Sequence, residues 1–288
     1  MSETIIRTQN LGYAYTSGPS PRHVLTDVSL EIERGSCVAI IGTNGSGKTT
    51  LVQHFNGLLR PTSGTVWVDG VNLGTKQSTV RELRRRVGLL FQFPESQLFE
   101  RTIYDDVAFG PRRLRLSESE VQQRVYRALM AVHLPLPEYA QRSPFALSGG
   151  QRRRVALAVL LAMEPTILIL DEPSVGLDGE ARQELYQILQ EIRLEREVTI
   201  VLVSHDMAEV ASICDRLYLL HEGRLVLQGP PRTIFAQSQQ VLQYGLALPP
   251  LNELLHLLRQ QGMSIPEELF TLEEVYAFFV NQRRQAHQ

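Results

Sequence analysis

Short runs of apolar residues alternate with longer stretches of mixed apolar and charged residues along most of the chain. Residues 37–41, 167–170 and 198–203 are apolar at nearly every position. Strands of this kind are buried on both faces, as in a parallel sheet that helices cover on both sides. The stretches between them have helical character, so the pattern predicts an α/β core built on a mainly parallel sheet.

Two other segments have the turn residues of β-hairpins. Residues 65–73 turn at Asp69-Gly70, and residues 217–227 turn at Glu222-Gly223. An acidic residue followed by glycine favours a tight turn, because both residues accept the positive φ angles that such a turn requires. The first hairpin predicts a small antiparallel β layer at one edge. Residues 104–161 have few strand signals and predict a helical subdomain inserted into the core.

The last part of the chain carries two apolar stripes with helical spacing. One stripe consists of Leu251, Leu254, Leu255 and Leu258, and the other of Leu272, Val275, Tyr276 and Phe279. This spacing places side chains on one face of a helix. Two capping boxes are expected in this region, at Ser264 with Glu267 and at Thr271 with Glu274. A small helical appendage is therefore predicted, and its apolar faces must pack on another surface.

A phosphate-binding loop is predicted directly after the first buried run. Residues 42–49 match the pattern G-x-x-x-x-G-K-[ST] and precede a helical stretch. The residues expected to contact the nucleotide here are Gly42, Thr43, Asn44, Gly45, Ser46, Gly47, Lys48, Thr49 and Thr50. The glycines let backbone N–H groups point at phosphate oxygens, and the helix adds its positive N-terminal end. Lys48 supplies a charge for the phosphates and Thr49 a hydroxyl for Mg²⁺, so ATP and Mg²⁺ are the expected cofactors.

Two acids end the second buried run. Asp171 and Glu172 follow residues 167–170, and the carboxyl ends of parallel strands are where α/β sheets bind ligands. Asp171 suits the Mg²⁺ shell, because Mg²⁺ is held by few carboxylates. Glu172 is placed to orient and deprotonate an attacking water. On its own, such a pair is more often a solvated helix start, and the phosphate loop favours the catalytic interpretation.

Composition narrows the possible partners. Hydrophobic residues make up 43% of the chain, enough for a sizeable core, and the net charge of -2 attracts neither nucleic acid nor anionic lipid. The two cysteines, Cys37 and Cys214, lie in apolar stretches, so no disulfide framework is expected. No signal peptide is expected, and no apolar run approaches the ~20 residues that cross a bilayer. We therefore expect any membrane role to be exercised from the water side.

Leu147-Ser148-Gly149-Gly150-Gln151 resembles the signature sequence of ATP-binding-cassette (ABC) ATPases. The resemblance spans roughly residues 5–235. It implies that Ser148, Gly149, Gly150 and Gln151 contact the γ-phosphate of ATP held by a second subunit. The hydroxyl, the bare N–H groups and a helix N-terminus suit an anion. An ordinary helix N-cap is the simpler interpretation, and both can hold together.

Other positions match this family residue by residue. The resemblance implies that Gln92 joins the core to the helical subdomain and senses Mg²⁺, and that Asp178 belongs to a segment communicating across the dimer. It implies that His205 contacts the γ-phosphate and that Tyr15 stacks on adenine, with Tyr13 as an alternative. The catalytic residues expected are therefore Glu172, His205, Gln92 and Lys48, and the metal-binding residues are Thr49, Gln92 and Asp171.

Residues 91–99 and 105–111 resemble the ATPases of energy-coupling-factor transporters, and within these the second, or A-prime, type. This resemblance implies three partners: a second ABC ATPase in an unlike pair, a transmembrane coupling protein, and a membrane protein that captures a vitamin or a transition-metal ion. The expected location is the cytoplasmic face of the cell membrane. The chain departs from the family pattern at Gly179 and Ser204, and neither change removes a charged or ligating group.

The predicted organisation is an α/β phosphate-loop core with an antiparallel β layer, an inserted helical subdomain and a C-terminal helical appendage. Residues 1–235 would form the cassette, with its helical subdomain at about residues 93–162, and residues 236–288 a dimerising appendage. The alternatives are an ATPase of another ABC transporter class, a soluble cassette ATPase acting on DNA or ribosomes, and a phosphotransferase. No second cassette or coiled-coil insertion supports the soluble alternative, and no binding of nucleic acid is expected.

Overall fold

The computed structural model describes residues 3–16, 20–74 and 77–286; the side chains of residues 77, 78, 95, 96 and 283–286 are outside this description. Residues 91–99, on which part of the resemblance to a narrower family rests, are therefore described only in part. The strands are β1 Thr4–Tyr15, β2 Arg22–Glu33, β3 Cys37–Ile41, β4 Ser63–Val68, β5 Val71–Asn72, β6 Val87–Leu90, β7 Ile167–Asp171, β8 Thr199–Val203, β9 Arg216–His221 and β10 Arg224–Gly229. They form two sheets.

The larger sheet has the strand order β10-β9-β3-β8-β7-β6. Strands β9, β3, β8, β7 and β6 are parallel, and β10 pairs with β9 in the antiparallel direction. Every residue of β3, β7 and β8 is buried, which explains why these strands are continuous apolar runs. The predicted parallel core and the hairpin at Glu222-Gly223 are confirmed.

The smaller sheet is antiparallel, with the order β2-β1-β4-β5. Its β4–β5 pair includes the predicted hairpin through Asp69-Gly70. Strands β1 and β2 are long, and burial alternates along β2, which packs one face on the core. A cluster of buried residues, including Phe55 at the end of the helix Lys48–Phe55, fills the space between the two sheets. The antiparallel layer is thus larger than the hairpin pattern alone predicts.

The helices are α1 Lys48–Phe55, α2 Gln77–Arg86, α3 Ile103–Arg113, α4 Glu118–Ala131, α5 Leu136–Tyr139, α6 Gly149–Leu161, α7 Gly179–Arg196, α8 Met207–Ile213, α9 Pro231–Ala236, α10 Ser238–Gln243, α11 Pro250–Gln260 and α12 Leu272–Ala286. Helices α3 to α6 lie between β6 and β7, as expected for the inserted helical region. Ser117 and Ser148 each begin a helix with a complete capping box, which stabilises an end by roughly 1 kcal/mol. No helix among the described residues is long and apolar enough to cross a membrane.

The C-terminal helices agree with the sequence only in part. Thr271 and Glu274 form the expected reciprocal capping box at α12. The box predicted at Ser264 and Glu267 was wrong, because residues 263–266 have no helical structure and no helix begins there. Leu255, Ile265 and Val275 form a small core of their own. The division into residues 1–235 and 236–288 remains a prediction.

The second apolar stripe is not wholly buried. Val275 is buried and Phe279 packs against the same small core, whereas Leu272 and Tyr276 are exposed. Spacing alone does not say how wide the covered face of a helix is. The two cysteines are free, as expected, although the fold brings the sulfur atoms of Cys37 and Cys214 within 3.9 Å.

Candidate active site

A cavity of about 630 Å³ lies at the carboxyl ends of the parallel strands. It combines the phosphate loop after β3, the acids after β7 and the histidine after β8. The residues expected from the sequence that line it are Tyr15, Gly42, Thr43, Asn44, Gly45, Gly47, Lys48, Thr49, Thr50, Gln92, Asp171, Glu172 and His205. Segments far apart in sequence therefore converge here, because parallel strands deliver their following loops to one edge of the sheet.

The phosphate loop has a shape that only glycine permits at two positions. A Cβ atom on Gly42 would lie 2.2 Å from the carbonyl oxygen of Leu220. Gly47 has a φ of 105° and forms the N-cap of α1. The loop can therefore curl tightly around an anion, with the N-terminus of α1 behind it. Ser46, within the loop, is buried and does not line the cavity.

Lys48 is folded back onto its own loop. Its Nζ atom donates hydrogen bonds to the carbonyl oxygens of Gly42 at 2.8 Å and Thr43 at 3.0 Å. Burial lowers the pKa of Lys48, and the nearby Glu172 and Asp171 carboxylates act in the opposite direction. The ammonium group of Lys48 is thus already held in position inside the cavity. It can donate to phosphate oxygens in place of the two carbonyl oxygens.

The oxygens of Thr49 and Asp171 meet beside the lysine. The Thr49 hydroxyl donates to Asp171 Oδ2 at 2.9 Å, and Asp171 is buried. Burial raises the pKa of Asp171, while the Thr49 hydrogen bond and the charge of Lys48 lower it. A hydroxyl and one carboxylate are a donor set that suits Mg²⁺, which takes its other oxygens from water and phosphates. These two residues therefore fit the metal that the sequence predicts.

Glu172 and His205 form a pair in the same cavity. His205 Nδ1 lies 2.6 Å from Glu172 Oε2, and His205 is mostly exposed to the cavity whereas Glu172 is mostly buried. Glu172 has a positive φ of 52°, and its backbone N–H donates to the carbonyl of Val203. Such a backbone conformation is uncommon for a residue other than glycine, and it occurs here beside the acids of the cavity. The pair can hold a water molecule and accept its proton.

The structure separates the two candidate aromatic residues. Tyr15 lines the cavity, and its hydroxyl lies 3.3 Å from the hydroxyl oxygen of Thr50. Tyr13 packs edge-on against His54 and Tyr15 and does not line the cavity. Tyr15 is therefore the residue that can present a ring to an adenine base.

The structure does not bring the signature residues to this cavity. Ser148, Gly149, Gly150 and Gln151 lie outside its lining, as does Asp178. Ser148 is exposed and caps α6, with its hydroxyl accepting the Gln151 N–H at 3.2 Å. Asp178 caps α7 by accepting the Ala181 N–H at 2.9 Å. Since none of these residues lines the cavity, a single chain holds only part of the expected ATP site.

Sequence reasoning missed one wall of the cavity. Gly245, Leu246 and Ala247, which follow α10, line it together with Arg22 and Val24. A Cβ atom on Gly245 would lie 3.3 Å from Cγ2 of Thr43, so the backbone at Gly245 lies close to the Thr43 side chain. Leu246 is buried in the main core. Nothing in the local pattern indicates this contact, because it joins segments two hundred residues apart.

Ala247 is exposed at this wall, which allows a test by charge. We expect Ala247→Glu to weaken ATP binding roughly three- to tenfold, since two unit charges about 4 Å apart in bulk water repel by about 1 kcal/mol and the new side chain is exposed to solvent. Ala247→Lys should not weaken it. Binding of a fluorescent ATP analogue measures the effect, which should shrink at high salt. Gln243→Glu is the control, because Gln243 is exposed and lies outside the lining; equal effects at both positions would contradict the prediction.

The parallel sheet, the phosphate loop and the acids after β7 define a phosphate-loop nucleotide-binding protein, and the capped signature sequence at Ser148 adds the feature typical of ABC ATPases. A profile of the ABC transporter family matches residues 25–175. The chain belongs to this family and is an ATP hydrolase of its kind. The nucleic-acid and phosphotransferase interpretations have no support from this match.

Known relatives define the family more narrowly. The chain is 48% identical over 268 residues to the energy-coupling factor transporter ATP-binding protein EcfA2 of Symbiobacterium thermophilum, covering 93% of this chain and 92% of that protein. It is 44% identical over 270 residues to the protein of the same name from Clostridium tetani, covering 93% and 94%. The chain therefore belongs to the energy-coupling factor transporter ATP-binding proteins.

Solved structures agree with this assignment. The structure of cbiO1 from Clostridium perfringens, part of the ABC transporter complex cbiONQ, is 37% identical, with a TM-score of 0.77 over 88% of this chain and 99% of that one. A dimeric ATP-binding cassette in a post-hydrolysis state with bound ADP and phosphate is 28% identical, with a TM-score of 0.70 over 79% and 99%. The predicted fold class is confirmed.

Proposed function

We propose that this chain is the second, or A-prime type, ATPase subunit of an energy-coupling factor importer for a vitamin or a transition-metal ion. The observation that carries the proposal is the divided ATP site. The phosphate loop and the Glu172–His205 pair share one cavity, while the exposed signature residue Ser148 lies outside it. A second cassette, arranged head to tail, supplies the missing part of each site.

In this proposal each residue of the cavity has a chemical task. Lys48 exchanges its carbonyl partners for the β- and γ-phosphate oxygens, and the ring of Tyr15 stacks on the adenine. Thr49 and Asp171 would hold Mg²⁺, with Gln92 lining the same cavity; when bound, the ion would supply positive charge to offset that of the phosphates. Fixed donors of this kind stabilise the charge that develops in the transition state.

Glu172 acts as the general base for hydrolysis. Its carboxylate takes a proton from water as the water oxygen bonds to the γ-phosphorus and the bond to the β–γ bridging oxygen breaks. His205 holds the Glu172 carboxylate and contacts the γ-phosphate. Both groups lie on loops that follow buried strands, so the rigid sheet fixes their geometry.

The ATP molecules bound between two cassettes attract the two halves, and hydrolysis removes this attraction. Closure then moves the surface beside Gln92, where a helix of a transmembrane coupling protein would be seated. We propose three partners on this basis: an unlike second ATPase, the coupling protein and a substrate-capturing membrane protein. The chain then works at the cytoplasmic face of the membrane, with residues 236–288 contributing to pairing.

The exposed apolar side chains support a protein partner on this side. Phe91, Phe93, Phe99 and Phe109 are all more than a third exposed, and the rings of Phe99 and Phe109 contact each other. Large apolar side chains that are clustered at a surface mark interaction sites. Phe91 and Phe93 flank Gln92 in the sequence, and Gln92 also lines the ATP cavity.

A pull-down of the tagged chain from gently solubilised membranes tests the proposal. We expect a second cassette ATPase and a protein with several membrane spans to copurify, with ATP hydrolysis in the recovered complex. Phe93→Asp should reduce recovery of the membrane protein, because it replaces an exposed aromatic side chain beside Gln92 with a charge. Leu194→Asp is the matched control, since Leu194 is exposed on α7. Recovery of ribosomes or nucleic acid without membrane proteins would contradict the proposal.

A further inference from the structure

A buried carboxylate lies beneath the catalytic pair and has no part in the mechanism above. Glu209, on α8, is 2% exposed. Its Oε2 atom accepts hydrogen bonds from the hydroxyl groups of Ser174 at 3.2 Å and Ser204 at 2.8 Å. Both serines are also buried. Burying a carboxylate this deeply costs free energy of folding unless it is hydrogen-bonded. The two hydroxyl groups therefore offset part of the cost of burying Glu209.

The two serines belong to different loops of the active site. Ser174 lies two residues after Glu172, and Ser204 directly precedes His205. Ser204 also accepts the backbone N–H of Asp206 at 3.0 Å, which fixes the loop on the far side of His205. Glu209 therefore joins the segment that follows the general base to the loop that carries its histidine partner.

The same segment is bonded to the signature helix. Arg153 of α6 is buried, and its guanidinium donates to the carbonyl oxygen of Pro173 and to that of Val175 at 2.8 Å. Helix α6 begins at the signature residue Ser148. A continuous series of contacts thus runs from α6 through residues 173–175 and Glu209 to the loop of His205.

The surroundings of Glu209 favour a fixed arrangement. Burial raises the pKa of Glu209, and the serine hydroxyl groups and Tyr186 act against this shift. Burial and the neighbouring Glu209 carboxylate raise the pKa of Tyr186, so its hydroxyl stays neutral. The N-cap Asp206 holds the backbone N–H of Glu209 at 3.1 Å, and Arg182 pairs with Asp206 at 2.9 Å. The start of α8 is therefore anchored from several sides.

We propose that Glu209 is a positioning residue for ATP hydrolysis. Its carboxylate ties the loop of His205 to the segment after Glu172, and this tie holds the His205–Glu172 pair in place and links it to the signature helix. When the signature loop of one subunit contacts the nucleotide held by its partner, the same series of contacts then also orders Glu172 in its own site. The proposal rests on the proposed function, and it adds a group that does not touch the nucleotide.

The first test observes the histidine directly in the full chain. The chain is labelled with ¹³C at histidine, and the signal of His205 is assigned by its loss in His205→Ala. We expect Glu209→Ala to shift this signal and Glu209→Gln to restore most of it, because an amide oxygen accepts the same two hydroxyl groups. Asp106→Ala is the matched control, since Asp106 is an equally buried carboxylate that accepts the N–H groups of Phe99 and Glu100.

The second test is a double-mutant cycle in the recovered transporter complex. Glu209→Ala should lower kcat about tenfold with little change in the affinity for ATP, whereas in the His205→Ala background it should change kcat less than about twofold. A purely structural role would give equal losses in both backgrounds. If Glu209→Ala does not fold, Ser174→Ala replaces it and should shift the His205 signal in the same direction.

A His205 signal that does not move in Glu209→Ala or in its replacement Ser174→Ala, or equal losses in the two backgrounds, would overturn the positioning role. The first test needs neither ATP turnover nor a partner. It therefore decides the role of Glu209 even if the pull-down recovers no membrane protein and the proposed function fails.

Discussion

Replacing Glu172 with glutamine is expected to abolish ATP hydrolysis while leaving ATP binding intact. The amide keeps the size of the side chain and a hydrogen bond to His205, but it cannot take a proton from water. Loss of a positioned general base costs about 10²- to 10⁴-fold in kcat. The measurement is phosphate release by the recovered complex, together with binding of a fluorescent ATP analogue by the chain alone.

Glu195→Gln is the control for this substitution, because Glu195 is exposed on α7 and does not line the cavity. It should leave both quantities unchanged. A Glu172→Gln complex that hydrolyses ATP within tenfold of the unaltered one would show that another group takes the proton. We also expect the variant to hold the two cassettes closed, since the bound ATP that joins them is no longer cleaved.

Lys48→Ala is expected to weaken ATP binding about 10- to 150-fold. Lys48 is buried, and among residues 42–49, all of which the structure describes, it alone carries a full positive charge. A hydrogen bond to a charged group contributes about 1.5–3 kcal/mol. The alanine variant also leaves the carbonyl oxygens of Gly42 and Thr43 without their present donor. Titration with the fluorescent analogue measures the loss, and thermal unfolding shows whether the chain stays folded.

Arg60→Ala provides the comparison, because Arg60 is an exposed cation in the loop after α1 that does not line the cavity. This variant should bind ATP within about twofold of the unaltered chain, as expected for a screened surface charge. Comparable losses in both variants would mean that the general positive charge of this region, rather than the geometry of Lys48, governs binding.

Much of the core was predictable because its signals are local. The strands at residues 37–41, 167–170 and 198–203 were expected from apolar runs, and each forms a buried strand of the larger sheet. The turns at Asp69-Gly70 and Glu222-Gly223 were expected from single residue pairs. Failures occurred where local signals had no tertiary support: Ser264 and Glu267 have the residue types of a capping box, but no helix packs there.

The sequence by itself determined the chemistry of this protein. The spacing of Gly42, Gly47 and Lys48 and the position of Asp171-Glu172 after an apolar run already specified a phosphate site. Only the tertiary structure decided which groups meet: that Tyr15 rather than Tyr13 lines the cavity, that residues 245–247 close one of its walls, and that Glu209 joins two loops beneath it. The reason is physical, because turns and strand runs depend on neighbours along the chain, whereas these contacts depend on how distant elements pack.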